Sequence, residues 1–183
     1  MGKKARIHVG ARASAGRRYT ASMITFLLIR HGIAEDSRPG LSDPDRGLTA
    51  QGWERTRAAM AGLVRKGFCP SRGVSSPYLR AAQTLACLRE ATPGGFPVGA
   101  WEGLEPGGSV AAARDWLRLI AAQARPGEVI ALTSHMPLCA DLVQALTGRE
   151  VESKKASCSV LHWDGGRFEL AAHYLPAELR GEA

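Results

Sequence analysis

The chain has 183 residues, 45% apolar and 22% charged, which fits one globular domain with a sizeable core and excludes a compositionally disordered chain. Its net charge of +7 is unevenly placed: residues 1–22 hold Lys3, Lys4, Arg6, Arg12, Arg17 and Arg18 and no acid, so residues 23–183 carry only +1. A nearly neutral body leaves nucleic-acid binding resting on that segment alone, and no stretch approaches the roughly 20 apolar residues that span a bilayer.

Residues 1–22 show no apolar period and lack the apolar core, about 7–15 residues long, of a secretory signal. They read as a basic, disordered tail. Their Arg-rich, acid-free composition also fits an organellar transit peptide, and Met23, just before the first strand, is a candidate natural start. The expected organisation is a tail over 1–22 and a single domain over 23–183. Cys69, Cys87, Cys139 and Cys158 are scattered with no CxxC spacing, so neither a zinc clip nor a redox pair is signalled. They read as small core residues in a reducing, cytoplasmic setting.

Thr25-Phe-Leu-Leu-Ile-Arg-His-Gly32 opens the domain. Its unbroken apolar run reads as a strand buried on both faces. Residues 33–48 are punctuated by Pro and Gly and read as loop. Thr49 is a good N-cap for a helix ending by Gly67, with Trp53, Ala59, Met60, Leu63 and Val64 on its apolar stripe. Residues 72–75 form a short strand. Ser76-Pro77 fits an N-cap with Pro at N1, opening a helix over 77–91. Thr92-Pro-Gly-Gly95 is a turn, 96–101 a strand, and 102–108 a loop. Ser109 caps a helix to about Ala124, with Val110, Ala113, Trp116, Leu117 and Ile120 on one face. Glu128–Thr133 is the second strongly apolar strand, and a helix follows Pro137 to about Gly148. Residues 157–163 and 167–174 flank Asp164-Gly165-Gly166 as a β-hairpin. The alternation of strands and helices predicts a three-layer α/β/α sandwich, with a mostly parallel central sheet and a C-terminal antiparallel hairpin.

Two apolar strands end alike, one in Arg30-His31-Gly32 and the other in Ser134-His135. Open α/β sheets place ligands beyond the C-terminal ends of their strands. If the two strands are parallel neighbours, His31 and His135 face each other. Arg80 falls on the first turn of a helix, whose free N–H groups suit an anion. Arginine offers a rigid fork to phosphate, histidine attacks or moves protons near neutral pH, and Gly32 lets the backbone turn sharply and approach a ligand. Two arginines, two histidines and a helix N-terminus make a phosphate pocket with a histidine nucleophile.

These motifs resemble the histidine phosphatase (phosphoglycerate-mutase-like) superfamily. Arg30-His31-Gly32 follows the first strand, Ser76-Pro-Tyr-Leu-Arg80-Ala-Ala-Gln-Thr84 opens a later helix, and His135 follows a late strand. Arg46-Gly-Leu-Thr-Ala-Gln-Gly52 matches the family's Leu-Thr-x-x-Gly helix opening. The resemblance covers about residues 24–175. The short span between the Arg80 helix and the late strand looks like the compact bacterial SixA-type phosphohistidine phosphatases. The resemblance implies that His31 attacks phosphorus to form a phosphohistidine, and that Arg30, Arg80 and His135 hold the phosphoryl oxygens, with no cofactor and no metal. Arg46 at the mouth is a candidate phosphate contact. Ser76 either hydrogen-bonds the site or caps its helix. Larger relatives use a Glu after the Arg80-type helix as general acid, and here Glu102 and Glu105 are the two candidates.

The expected activity is removal of a phosphoryl group from protein phosphohistidine on a phosphotransfer domain. A small-molecule phosphomonoesterase of the same fold is the alternative, and a non-catalytic phosphate-binding scaffold the third reading. Expected partners are a phosphorylated protein or a small phosphorylated substrate, with no nucleic acid and no membrane. Trp53, Trp101, Trp116 and Trp163 read as packing, His162 and His173 as structural, and Lys154-Lys155 as solvated. Deleting residues 1–22 removes most of the net charge, so any binding of the full chain to DNA or RNA in a gel-shift assay is expected to vanish in the truncated protein.

Overall fold

A computed structural model describes residues 23–182. Strand β1 (Ile24–Arg30) is buried along its whole length up to Ile29. Its side chains alternate between two cores. Phe26 and Leu28 join Ile130, Leu132, Leu117 and Leu142 on one face of the sheet. Leu27 and Ile29 join Met60, Leu63, Leu85, Leu88 and Leu179 on the other. Both faces are covered, so the strand carries no polar alternation.

The other elements follow the predicted order as far as the hairpin, with a 3-10 turn and a C-terminal helix added to it. They are α1 (Ala50–Arg65), β2 (Arg72–Ser75), α2 (Leu79–Ala91), β3 (Val98–Ala100), a 3-10 turn (Glu102–Leu104), α3 (Val110–Gln123), β4 (Val129–Ser134), α4 (Leu138–Thr147), β5 (Cys158–Trp163), β6 (Phe168–Tyr174) and α5 (Pro176–Arg180). The sheet order is β3-β2-β4-β1-β5-β6. β1 to β4 are mutually parallel, and β5 and β6 run antiparallel. Helices α3 and α4 supply residues to one core, and α1, α2 and α5 to the other. This is the expected three-layer α/β arrangement. Thr49 caps α1 by accepting from Gly52 N at 2.9 Å, and Ser109 caps α3 through Ala112 N. Among the described residues no helix is long and apolar enough to cross a membrane. The proposed tail lies outside the described residues.

Four local expectations need correction. Helix α2 starts at Leu79 with Tyr78 as N-cap, not at Pro77 under a Ser76 cap; the Ser76 hydroxyl accepts from Tyr78 N at 3.3 Å ahead of the helix and also meets His135 Nε2. β3 is only three residues long, all exposed, at the sheet edge. The 102–108 stretch is not plain loop: Ser134 donates its hydroxyl to Leu104 O at 2.7 Å and buries Leu104 under a helical turn. Cys69 is exposed rather than in the core, whereas Cys87, Cys139 and Cys158 are buried, and all four are free.

Helix α5 carries too few apolar residues to show a period, yet Leu179 is buried against α1. The two helices meet at Gly62, where an added Cβ would stand 1.8 Å from Leu179 O. In an open helix Gly→Ala gains about 0.5–1 kcal/mol. Here overpacking reverses the sign, and Gly62→Ala is expected to destabilise the protein by about 1–3 kcal/mol, read as a lowered midpoint in urea unfolding.

Candidate active site

The β1–β4 register builds the site. Arg30 pairs with Ser134 across the parallel ladder, so His31 and His135 emerge side by side one residue later. His31 N still donates to Ser134 O at 3.0 Å. The ring centroids stand 5.0 Å apart, and both residues are buried. β2 lies on the other side of β4, with Ser75 opposite Thr133. Ser76 therefore leaves the sheet at the same edge, and its Oγ lies 2.9 Å from His135 Nε2. Tyr78 packs edge-on against the His135 ring at 5.1 Å. Three strand ends thus converge where open α/β sheets bind ligands.

The tautomer of His31 follows from its partner. Nδ1 lies 2.8 Å from Gly32 O, and a carbonyl oxygen only accepts. Nδ1 therefore carries the proton, and in the neutral ring Nε2 holds a lone pair. Burial pushes the His31 pKa down to about 4; the Gly32 carbonyl opposes this, and the charges of Arg80, Arg30 and Lys155 reinforce it. Burial likewise holds His135 down to about 3, with His31 and Arg80 adding to it and Asp43 opposing. Both imidazoles are neutral at pH 7. No carboxylate moves His31.

Gly32 is hemmed by protein. Its N–H donates to Thr84 Oγ1 at 3.0 Å, and Thr84 donates in turn to Arg80 O at 2.7 Å. An added Cβ would stand 2.1 Å from Thr56 Oγ1. This glycine lets α1 and α2 close on the strand exit.

The two arginines are held in the same way. Arg30 gives Nη1 to Ser153 O at 2.7 Å. Arg80, 3% exposed, gives Nη1 to Asp43 O at 2.7 Å and Nη2 to Asp43 Oδ2 at 3.0 Å. In both, Nε is buried without a hydrogen-bond partner, as is His135 Nδ1. A buried, unpaired donor costs about 1–3 kcal/mol, more when charged. An oxyanion between the histidines is the natural acceptor for such groups.

Arg46 does not stand free at the mouth. Its Nε and Nη2 donate to Asp43 Oδ1, and its Nη1 to Glu35 O. Glu102 opens the 3-10 turn and Glu105 follows it. Arg30, His31, Gly32, Ser76, Arg80 and His135 are brought together, and Arg46 sits one contact away through Asp43; neither glutamate hydrogen-bonds or ion-pairs with a site residue, although their turn is tied to the end of β4 through Ser134 and Leu104. Asp43 and Thr56 escaped the sequence reading, and Thr84 entered it as part of the Ser76–Thr84 motif without a role of its own. The one available signal was the spacing of Asp43 three residues before Arg46. The tryptophans pack: Trp101 stacks on Trp116 at 4.3 Å and Trp163 meets Phe168 at 4.7 Å. His173 sits between Ser159 Oγ and Glu152 O.

An α/β sheet that delivers a buried and a half-buried arginine and two neutral histidines to one edge suits a protein of the phosphoanion-handling class. The model of the histidine phosphatase superfamily (branch 1) matches residues 26–106. An uncharacterised protein of Picosynechococcus sp. (strain ATCC 27264 / PCC 7002 / PR-6) is 33% identical over 148 residues, covering 79% of this chain and 87% of that protein. The chain belongs to the histidine phosphatase superfamily. Its fold is similar to that of the protein histidine phosphatase SixA complexed with tungstate, with a TM-score of 0.77 and 24% identity over 85% of this chain and 99% of that one. It is also similar in fold to phosphoglycerate mutase from Bacillus anthracis str. Sterne, with a TM-score of 0.70 and 13% identity over 88% and 96% of the two chains.

The histidines make the site pH-dependent with a definite sign. An unfolded chain takes up protons at its histidines from about pH 6.5 downward, whereas folded His31 and His135 wait until about 4 and 3. Stability is therefore full above pH 6.5 and declines as pH falls toward 4. In an NMR titration of the free protein, the imidazole signals of His31 and His135 are expected to stay at their neutral positions from pH 8 to pH 5.5.

Proposed function

We propose that this protein is a phosphatase acting through a phosphohistidine on His31, with protein phosphohistidine as its substrate. The observation that carries the reading is the state of His31: buried, neutral, anchored through Nδ1 on Gly32 O, with its Nε2 lone pair beside His135 and two arginines. Nε2 attacks phosphorus as the bond from phosphorus to the leaving group breaks and takes its electron pair with it. Water then attacks the phosphorylated His31, the P–N bond breaks, its electron pair returns to Nε2, and inorganic phosphate leaves. Arg30, Arg80 and His135 hold the three phosphoryl oxygens. Phosphoryl transfer asks mainly for positioning and charge neutralisation, and fixed donors provide both without a metal ion. Ser76 orients the His135 ring through Nε2, and Gly32 accepts from His31.

The leaving group decides between substrates. An alkoxide needs a proton from the enzyme as it leaves, whereas a phosphohistidine ring already protonated on its other nitrogen leaves as neutral imidazole. Glu102 and Glu105 make no hydrogen bond or ion pair with the site residues, and Asp43 is bound by two arginines. Burial works to raise the Asp43 pKa, but hydrogen bonds from Arg46 and Arg80 outweigh it and hold the carboxyl below its ordinary value. It is ionised at neutral pH and donates no proton. This supports phosphohistidine over phosphoesters. The fold likeness to phosphoglycerate mutase keeps a small phosphoester as the second reading, with Glu102 or Glu105 as the acid. The four free cysteines suit a reducing, cytoplasmic location.

The test is hydrolysis, with chelator present, of a phosphohistidine-bearing phosphotransfer domain against a panel of sugar and nucleotide phosphates. The expected outcome is preferential turnover of phosphohistidine, lowered at least about a thousandfold in His31→Ala. Faster turnover of one phosphoester moves the assignment to the second reading, and loss of that activity in Glu102→Gln or Glu105→Gln identifies its acid.

A further inference from the structure

Asp43 makes more contacts with the site's cations than any reaction step has yet used. It sits on the exposed loop between β1 and α1, with its side chain 49% exposed, and it reaches inward to Arg80, whose side chain is 4% exposed. Two parts of Asp43 grip the same guanidinium. The backbone carbonyl accepts from Nη1 at 2.7 Å and carboxylate Oδ2 accepts from Nη2 at 3.0 Å. The other carboxylate oxygen, Oδ1, takes Nε of Arg46 at 2.8 Å, and its Nη2 as well. Arg46 is in turn tied to Glu35 O at 2.6 Å. The loop is fastened at both ends of this chain of contacts: Leu79 N donates to Pro44 O at 2.9 Å, and Glu35 N to Gly47 O at 2.9 Å.

The consequence for Arg80 is directional. A guanidinium has an end-on edge, made by Nη1 and Nη2, and a side-on edge, made by Nε and Nη2. Asp43 occupies the end-on edge. Nε on the side-on edge is buried and unpartnered in a residue that is 97% buried by its 3% exposure. An anion entering between the histidines would therefore meet Arg80 along that side. If Asp43 were instead a stand-in for the phosphoryl group, it would have to leave Arg80 when substrate arrived. Its main-chain carbonyl, held by the Pro44–Leu79 bond one residue on, argues against such an exit.

We propose that Asp43 is a positioning residue, which pins the end of Arg80 so that its Nε–Nη2 edge faces the phosphoryl group, and which makes Arg46 part of the same rigid assembly. This rests on the reading of the site as a phosphoryl pocket. It assigns Arg46 the task of holding Asp43, rather than that of touching phosphate.

The experiment measures affinity of the full chain for tungstate, a tetrahedral oxyanion, by titration calorimetry, together with kcat and KM on the best substrate. The variants are Asp43→Asn, Asp43→Ala, Arg80→Ala and the Asp43→Ala/Arg80→Ala pair, each checked for folding by circular dichroism. Both Asp43 variants are expected to remain folded, with a lowered melting temperature because Arg80 loses a buried acceptor, and to bind tungstate about tenfold more weakly or worse and to lose kcat. In the Arg80→Ala background, adding Asp43→Ala is expected to cost nothing further, because Asp43 acts through Arg80. Unchanged or tighter binding in both Asp43 variants overturns the proposal, and tighter binding identifies a competing internal anion. Equal losses from Asp43→Ala with and without Arg80 also overturn it. Failure of the wild-type chain to bind tungstate overturns the phosphoryl-pocket reading itself, and the role of Asp43 with it.

Discussion

Everything at the C-terminal edge of the sheet depends on keeping the buried Arg80 and the half-buried Arg30 beside two neutral imidazoles. A buried cation is costly unless acceptors surround it. The fold supplies those acceptors from loops rather than from the sheet. Ser153 O serves Arg30, and Asp43 serves Arg80. The same positive field, together with burial, keeps His31 and His135 unprotonated. Charge and neutrality are thus two sides of one arrangement. If the histidines were protonated at neutral pH, the pocket would hold four cations and the nucleophile would have no lone pair.

The sheet converts sequence proximity into this arrangement through register. Arg30 opposite Ser134 is a statement about hydrogen bonds, yet it decides which side chains meet one residue later. A slip of one residue along β4 would send one histidine to the wrong face of the sheet. The two cores guard against that slip, because Leu27 and Ile29 belong to one and Phe26 and Leu28 to the other.

Much of this was legible in the chain. Strands buried on both faces announce themselves as apolar runs, so β1 and β4 and the residues that follow them were readable from composition and order. Thr49 and Ser109 announced their helices because their hydroxyls cap them. Ser76 follows the rule only in part: its hydroxyl accepts from Tyr78 N in the turn before the helix and also meets His135, and the helix starts later at Leu79. Asp43 was illegible for a different reason. It lies on a loop with no period, and its partners are 3 and 37 residues away. Nothing in a linear pattern reports a contact that spans a loop and a helix start. Helix α5 was hidden because a single buried leucine, Leu179, anchors it, and one residue makes no pattern.

The sheet ends in two unlike margins. On one side β3 offers three residues, all exposed, and stops at Trp101, which folds back to stack on Trp116. Few backbone groups are left there for another strand to join. The far margin, β6, pairs with β5 through a ladder whose register shifts between Val160 and Leu161. Such a break bends the strands and spoils the flat template that fibril growth requires. One border of the sheet is thus stunted and the other crooked, and neither presents a long flat edge to a further strand.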